Sequence, residues 1–202
     1  MAETHFSGPL NSAETFTVGA SVFSPTGTVF RSGEYFHGVS SNYSTTATYA
    51  NATLTFSPLW LPATTRFDRI SVELVTAGLD AGNLFRLGVY QDDGTLVPSA
   101  LLLDAGTIPV GTGVAAGLKE INVLFTLPAG LYWLALAAQA VATTGGIPRS
   151  FQVVQLPGFP NVAPSATINS GWQMTGVTGA LPALTSSLTL VTNEPRVFLH
   201  AA

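Results

Sequence analysis

Between residues 66 and 139 the chain is punctuated at short, regular intervals. It reads RFDRISVELVTAG, FRLGVYQDDG, SALLLDAGT, LKEINVLFTLPAG and LYWLALAAQ, and each apolar run is closed by Gly, Pro, Asp or Asn. Breakers this dense leave no room for a helix of several turns. Period-2 runs closed every eight to twelve residues, by contrast, suit the strands of an antiparallel sandwich or barrel. Strand side chains alternate, so Ile70, Val72 and Leu74 share one face while Ser71 and Glu73 share the other. Ile121, Val123 and Phe125 make a second inward row, and residues 84–91 a further strand that stops at Asp92-Asp93-Gly94. Pro128-Ala129-Gly130 turns the chain into residues 131–138, which are apolar on both faces. A strand of that kind is covered twice, here by the second sheet and by another subunit or a loop.

Around this block the pattern weakens. Residues 1–30 carry isolated aromatics (Phe6, Phe16, Phe23) among Gly, Pro and small polar residues. They are expected to form an extended arm whose three phenylalanines bind a partner. Residues 31–202 form the folded all-β domain. A strand over 54–59 is expected to end at Pro58–Pro62, and residues 40–53 to form an exposed loop or edge strand. Residues 145–187, rich in Gly, Pro, Ser and Thr, form a long excursion with one strand at 152–156. Two strands, at 188–192 and 196–200, close the domain.

Composition narrows the function classes. Charged residues are 9% of the 202, with Lys119 the single lysine, against roughly 25% in ordinary globular domains. A surface so poor in charge suits subunit contacts, whose cores are depleted in charge. A net charge of −4 and a pI near 5.1 argue against nucleic acid as a partner. With no cysteine there is no disulfide framework and no thiol nucleophile. The opening MAETHFSGPLNSAE lacks the basic and apolar regions of a secretory signal. The apolar run at 131–142 is too short to cross a bilayer, so no membrane partner is expected and the run reads as a buried strand with Trp133 in the core.

The punctuated block also resembles a β-sandwich module found in virion proteins of tailed bacteriophages and prophages. The strings that carry the likeness are Phe67-Asp68-Arg69-Ile70, Arg86-Leu87-Gly88-Val89-Tyr90, Leu101-Leu102-Leu103-Asp104-Ala105-Gly106-Thr107, Lys119-Glu120-Ile121 and Gly130-Leu131-Tyr132-Trp133-Leu134-Ala135. The start Thr4-His5-Phe6-Ser7-Gly8-Pro9, and Gly179-Ala180-Leu181-Pro182 with Pro195-Arg196-Val197, add shorter matches. The resemblance spans residues 60–140 and, more loosely, 175–200. It implies an antiparallel jelly-roll-like β-sandwich with an N-terminal arm, assembled as a homotrimer in the virion after synthesis in the bacterial host cytoplasm. The implied role is a capsid-attached decoration, cement or head-fibre protein whose partners are itself and capsid or tail proteins. A tail fibre or tip protein that binds a host surface glycan is the alternative, and a glycan-degrading virion enzyme a third class without a motif.

Read as chemistry, the residues offer little. His5, His37 and His200 lie far apart and lack metal-ligand spacing, so each is expected at the surface or an interface, and no cofactor is implied. Asp92-Asp93-Gly94 lacks the alternating oxygen ligands of a calcium loop and reads as a hairpin turn. Asp68, Arg69, Glu73, Arg86, Asp104 and Glu120 could supply a carboxylate pair for glycosidic cleavage. An ion pair explains Asp68 and Arg69 equally well, and strict alternation sends those two to opposite faces. No nucleophile elbow, P-loop or dinucleotide fingerprint is present. Tyr35, Tyr43, Tyr49 and Trp172, with Trp60 nearby, are the candidates for stacking on sugar rings.

Overall fold

The computed structural model describes residues 31–38, 44–152, 171–184 and 188–202, and the backbone of 16–18 and 21–23. Fifteen strands and no helix make up its described elements. In chain order they are β1 (Phe16–Val18), β2 (Ser21–Phe23), β3 (Tyr35–His37), β4 (Ser44–Thr46), β5 (Thr53–Leu61) and β6 (Thr65–Thr76). There follow β7 (Leu84–Asp92), β8 (Pro98–Pro109), β9 (Gly117–Leu127), β10 (Gly130–Gln139) and β11 (Ile147–Gln152). Then come β12 (Gly171–Thr175), β13 (Thr189–Val191), β14 (Asn193–Pro195) and β15 (Val197–Ala201). The expected antiparallel β-sandwich is present. One sheet runs β13-β12-β5-β10-β7-β8. The other runs β14-β11-β6-β15-β3, with β9 on β6 and β4 on β11. Strands β1 and β2 pair only with each other, a short hairpin in the segment read as an extended arm.

The core lies between the two sheets and is built from the alternating rows seen in the sequence. Phe67, Ile70, Val72 and Leu74 of β6 meet Leu87 and Val89 of β7 and Leu134 and Leu136 of β10, all fully buried. Burial on this scale contributes roughly 1.5–3 kcal/mol per side chain. Ile121, Val123 and Phe125 pack inward from β9 as expected, although they stay partly open at the sheet edge.

The doubly apolar strand β10 is covered on its outer face by this chain itself, not by a second subunit. Trp133, Ala135 and Ala137 join Leu54, Phe56 and Tyr90 under Val177 and Leu181, with Leu184, Leu188 and Leu190 at the margin. Hydrogen bonds hold the cover down. Gln139 Nε2 donates to the carbonyls of Val177 (3.1 Å) and Gly179 (2.7 Å), and Tyr90 donates to the carbonyl of Pro182 (2.9 Å). Asp104 accepts from the Leu181 amide at 3.0 Å and from Arg86 Nε at 2.8 Å.

Strand β5 runs through Pro58 and stops at Leu61, within the Pro58–Pro62 stretch where its end was expected. Phe56 is flanked by Ala135 of β10 and Trp172 of β12, and its carbonyl is turned toward Gly171. Pro58, two residues on, faces the same edge, where β12 has already finished and its carbonyl meets Gly38 instead. The missing N–H therefore falls where no ladder bond was available. The differences from expectation lie in the excursion. Strand β11 begins at Ile147, and the rest of the 152–156 expectation lies outside the described residues. Strand β12 was not anticipated, because five residues opening on a glycine carry no usable period.

The Asp92-Asp93-Gly94 turn closes the β7–β8 hairpin, with Asp92 opposite Pro98. Asp92 Oδ2 accepts from the Gly94 amide and Asp93 Oδ1 from the Thr95 amide, at 2.8 and 2.7 Å. Only Gly94 of the three takes a positive φ (91°); Leu96 supplies the second at 66°. Two indoles fix the loop: Trp133 Nε1 donates to Asp92 Oδ1 and Trp172 Nε1 to the Leu96 carbonyl, each at 2.8 Å.

Candidate functional site

The outer face of the second sheet concentrates the chain's sparse charge. Of 7 basic and 11 acidic side chains in all, Asp68, Arg69, Glu73, Glu120, Arg149 and Arg196 meet here with Tyr35, His37, Phe198 and His200. A backbone irregularity makes the cluster possible. Opposite β15, Arg69 pairs with His200 and Phe67 with Ala201, so β6 carries one extra residue, Asp68. A bulge of this kind puts two successive side chains on one face. Asp68 and Arg69 are therefore neighbours, 3.4 Å apart, rather than on opposite faces as strict alternation implied. Their ion pairing is as anticipated.

The hydrogen bonds fix the proton positions. Arginine only donates, so His200 Nε2, 3.4 Å from Arg69, is the acceptor. His200 Nδ1 then carries the hydrogen and donates to Asp68 at 2.6 Å. Tyr35 accepts from Arg69 at 3.0 Å and donates to Glu120, while its ring sits edge-on to His200 at 4.7 Å. Both ring nitrogens of His200 are thus engaged, and both carboxylates share one guanidinium. The hydrogen bond from His200 holds the Asp68 carboxyl below its ordinary range, and the bond to Glu120 pushes the Tyr35 hydroxyl upward. Arg149 grips Glu73 through two nitrogens, at 3.1 and 2.9 Å, and lowers its carboxyl.

Next to this network lies an aromatic seam. The Arg196 guanidinium stacks over Phe198 at 4.8 Å and Phe151 at 6.0 Å. The His37 ring contacts the same two rings at 5.5 and 5.2 Å. Phe151 and Phe198 are 3% and 9% exposed, so the seam is packed within the fold and its charges serve one another. Among the described residues no group of three His, Cys, Asp or Glu is placed to hold a metal ion.

The sequence candidates disperse. Tyr35 belongs to this face. Tyr49 does not serve as a sugar platform: it is 8% exposed in the main core and its hydroxyl bonds Ser150 Oγ at 3.1 Å. Trp172 is half-buried beneath the cover of the first sheet, its indole nitrogen committed to Leu96. Tyr43, His5 and Phe6 lie outside the described residues, as do the side chains of Phe16 and Phe23, whose backbones pair across the β1–β2 hairpin. His200 is buried and His37 half-buried, so neither is the surface residue expected. Trp133 is core, as read, while Trp60 stays 46% exposed. Arg86 and Asp104 form an ion pair on the other sheet. Reasoning from the sequence missed His37, Phe198 and Arg196, although Tyr35-Phe36-His37 and Phe198-Leu199-His200 both carry the signal. Each sets an aromatic residue and a histidine two apart, hence on one face.

Acid should weaken this architecture in a defined window. Burial opposes the charge on Asp104, but Arg86 and the Leu181 and Gly106 amides outweigh it, so its carboxyl, like that of Glu73, is held below the ordinary value. A depressed carboxyl stabilises the fold above its unfolded value and loses that contribution as pH falls through its folded value. The urea midpoint should therefore drop as pH falls below the ordinary values of 3.8 and 4.5. Asp104→Asn should flatten that drop; an unchanged acid slope in the variant would refute the assignment.

No protein-family model, curated protein or solved structure matches this chain.

Proposed function

We propose that the protein is a non-enzymatic structural component of a tailed-phage particle, a capsid-attached decoration, cement or head-fibre protein of jelly-roll type. The observation that carries this reading is the ordered set of phage-like strings, which fall one each on β6, β7, β8, β9 and β10, the strands that build the core. The low charge adds support, because so neutral a surface favours subunit contact. A homotrimer is part of the proposal. It rests on that surface and on the resemblance, since the apolar outer face of β10 is already filled from within. Residues 1–30 would grip the shell, with Phe6, Phe16 and Phe23 contributing roughly 1.5–3 kcal/mol apiece on burial and many copies acting together.

A second reading, a tail fibre or tip that contacts a host glycan, is favoured by one observation: Trp60 leaves nearly half its surface open beside Leu131 on a face otherwise covered. Counting copies per particle by quantitative mass spectrometry separates the two. Many copies, with loss of incorporation when residues 2–30 are deleted from a chain that still folds, is the expected result. Few copies, with glycan binding abolished by Trp60→Ala, would replace the capsid role by the tail role. Absence from purified particles, or release of sugar by the purified protein, would overturn both.

A further inference from the structure

The two histidines among the described residues lie on a single seam, where the edge strand β3 joins β15. His37 stands opposite Phe198, and Tyr35 opposite His200. Three residues of β3 pair there and with no other described strand. The bonds from Gly33 N to Ala201 O (2.9 Å) and from Ala201 N to Glu34 O (3.0 Å) extend the seam by one turn of chain. So short an edge opens at far lower cost than the two-layer core behind it.

The two histidines differ in what surrounds them. His200 is balanced, with Asp68 at 2.6 Å from one nitrogen and Arg69 at 3.4 Å from the other. Among the described residues His37 has no such hydrogen-bonded counterweight. Its Nδ1–H donates to the Gly38 carbonyl at 3.0 Å, and its ring packs on Phe151 and Phe198, the two rings that carry the Arg196 guanidinium. Among the described residues, none of the acids around this stack bonds His37, and the one buried beside it, Glu194 of β14, pairs with Phe151 across the strands. Glu73 on β6 is held by Arg149, and Asp68 and Glu120 are gathered by Arg69. A proton on His37 would therefore place a cation in a half-buried aromatic site that already holds one.

We infer that the β3–β15 seam is an acid-sensitive latch, in which protonation of His37 releases β3 while the sandwich stays closed. The electrostatics agree in direction. Burial holds the His37 imidazole below its ordinary value of 6.5, the Gly38 carbonyl opposes this, and Arg196 adds to it. With the closed-state value depressed, the latch is fully held above 6.5 and loses its hold as pH falls toward that lower value. Within this window opening rises by at most about tenfold per pH unit. The device is independent of the virion reading, as it needs only the fold.

Hydrogen-exchange protection factors at pH 7.5 and 5.5 test it. The amides of the β3–β15 seam should lose protection at the lower pH, by at most about tenfold one unit beneath the ordinary histidine value, while those of β10 hold theirs. His37→Phe should abolish the difference. Equal protection at both pH values overturns the inference, as does an unchanged loss in His37→Phe, and a loss removed by His200→Gln alone would move the switch to the wrong histidine. Should His37→Phe not fold, the imidazole titration of His37 in the native protein decides: a midpoint below 6.5 supports the latch, and one at or above 6.5 excludes it.

Discussion

Trp133→Ala should be the most damaging single substitution in the sandwich, costing about 3–5 kcal/mol. Trp133 is the largest fully buried side chain, between Pro58 and Tyr90 on the central strand β10. Truncation opens a cavity beneath Val177 and Leu181 of the cover and removes the donor that anchors Asp92. At roughly 2–4 °C per kcal/mol for a domain of this size, the melting temperature should fall on the order of 10 °C. Trp133→Phe keeps a buried ring but loses the hydrogen bond, about 0.5–3 kcal/mol, together with the smaller volume difference between indole and phenyl, so it should cost less than the alanine variant. Urea unfolding of both variants measures them. A cost below about 1 kcal/mol for the alanine variant would show that the cover does not pack as described.

Gly88→Ala is expected to cost about 1–3 kcal/mol, which is large for one methyl group. A Cβ at Gly88 would lie 2.5 Å from the Leu103 carbonyl oxygen on β8 and 2.2 Å from Leu181 Cδ1 in the cover. The leucine can rotate, but the carbonyl belongs to a paired strand and yields only if β7 and β8 separate. Gly179→Ala is the control, because nothing lies within 4 Å of its added carbon. Thermal denaturation should place the control within about 0.5 kcal/mol of the native chain and Gly88→Ala well below it. Equal stability of the two would refute the close approach. The glycine of the Arg86-Leu87-Gly88-Val89-Tyr90 string thereby has a packing reason: it leaves room for Leu181, 93 residues further along the sequence.

The candidate face was only half visible beforehand. Asp68, Arg69, Glu120 and Tyr35 were each singled out from the sequence, but in separate roles, as a possible carboxylate pair, an ion pair and a sugar platform. Their convergence depends on β15 and β9 pairing with the bulged strand β6, and on β3 lying beyond β15. Pairing across 131 and 132 residues of chain, as for Arg69 and Asp68 with His200, leaves no trace in local spacing. Tyr49 failed as a surface candidate for a related reason. Its surrounding Ser and Thr residues suggested solvent, while Ser150 on a distant strand supplied a buried partner for its hydroxyl.

What the sequence determined by itself is what local physics controls. Alternation in 70–74 and 121–125 set which side chains face inward. Gly94 and the Pro128-Ala129-Gly130 turn set where strands reverse, and the run at 131–138 announced a strand buried on both faces. The tertiary structure decided the rest. It let β5 run through Pro58, because the neighbouring strand stops two residues earlier. Val177, Leu181, Leu184, Leu188 and Leu190 of the same chain became the second cover of β10, the loop rather than the subunit of the two expected covers. The extra residue Asp68 turned a strand with alternating faces into the base of a charged cluster. In each case the deciding quantity is which backbone edge or apolar face another segment occupies, and that depends on contacts between residues far apart in the chain, where period and propensity carry no information.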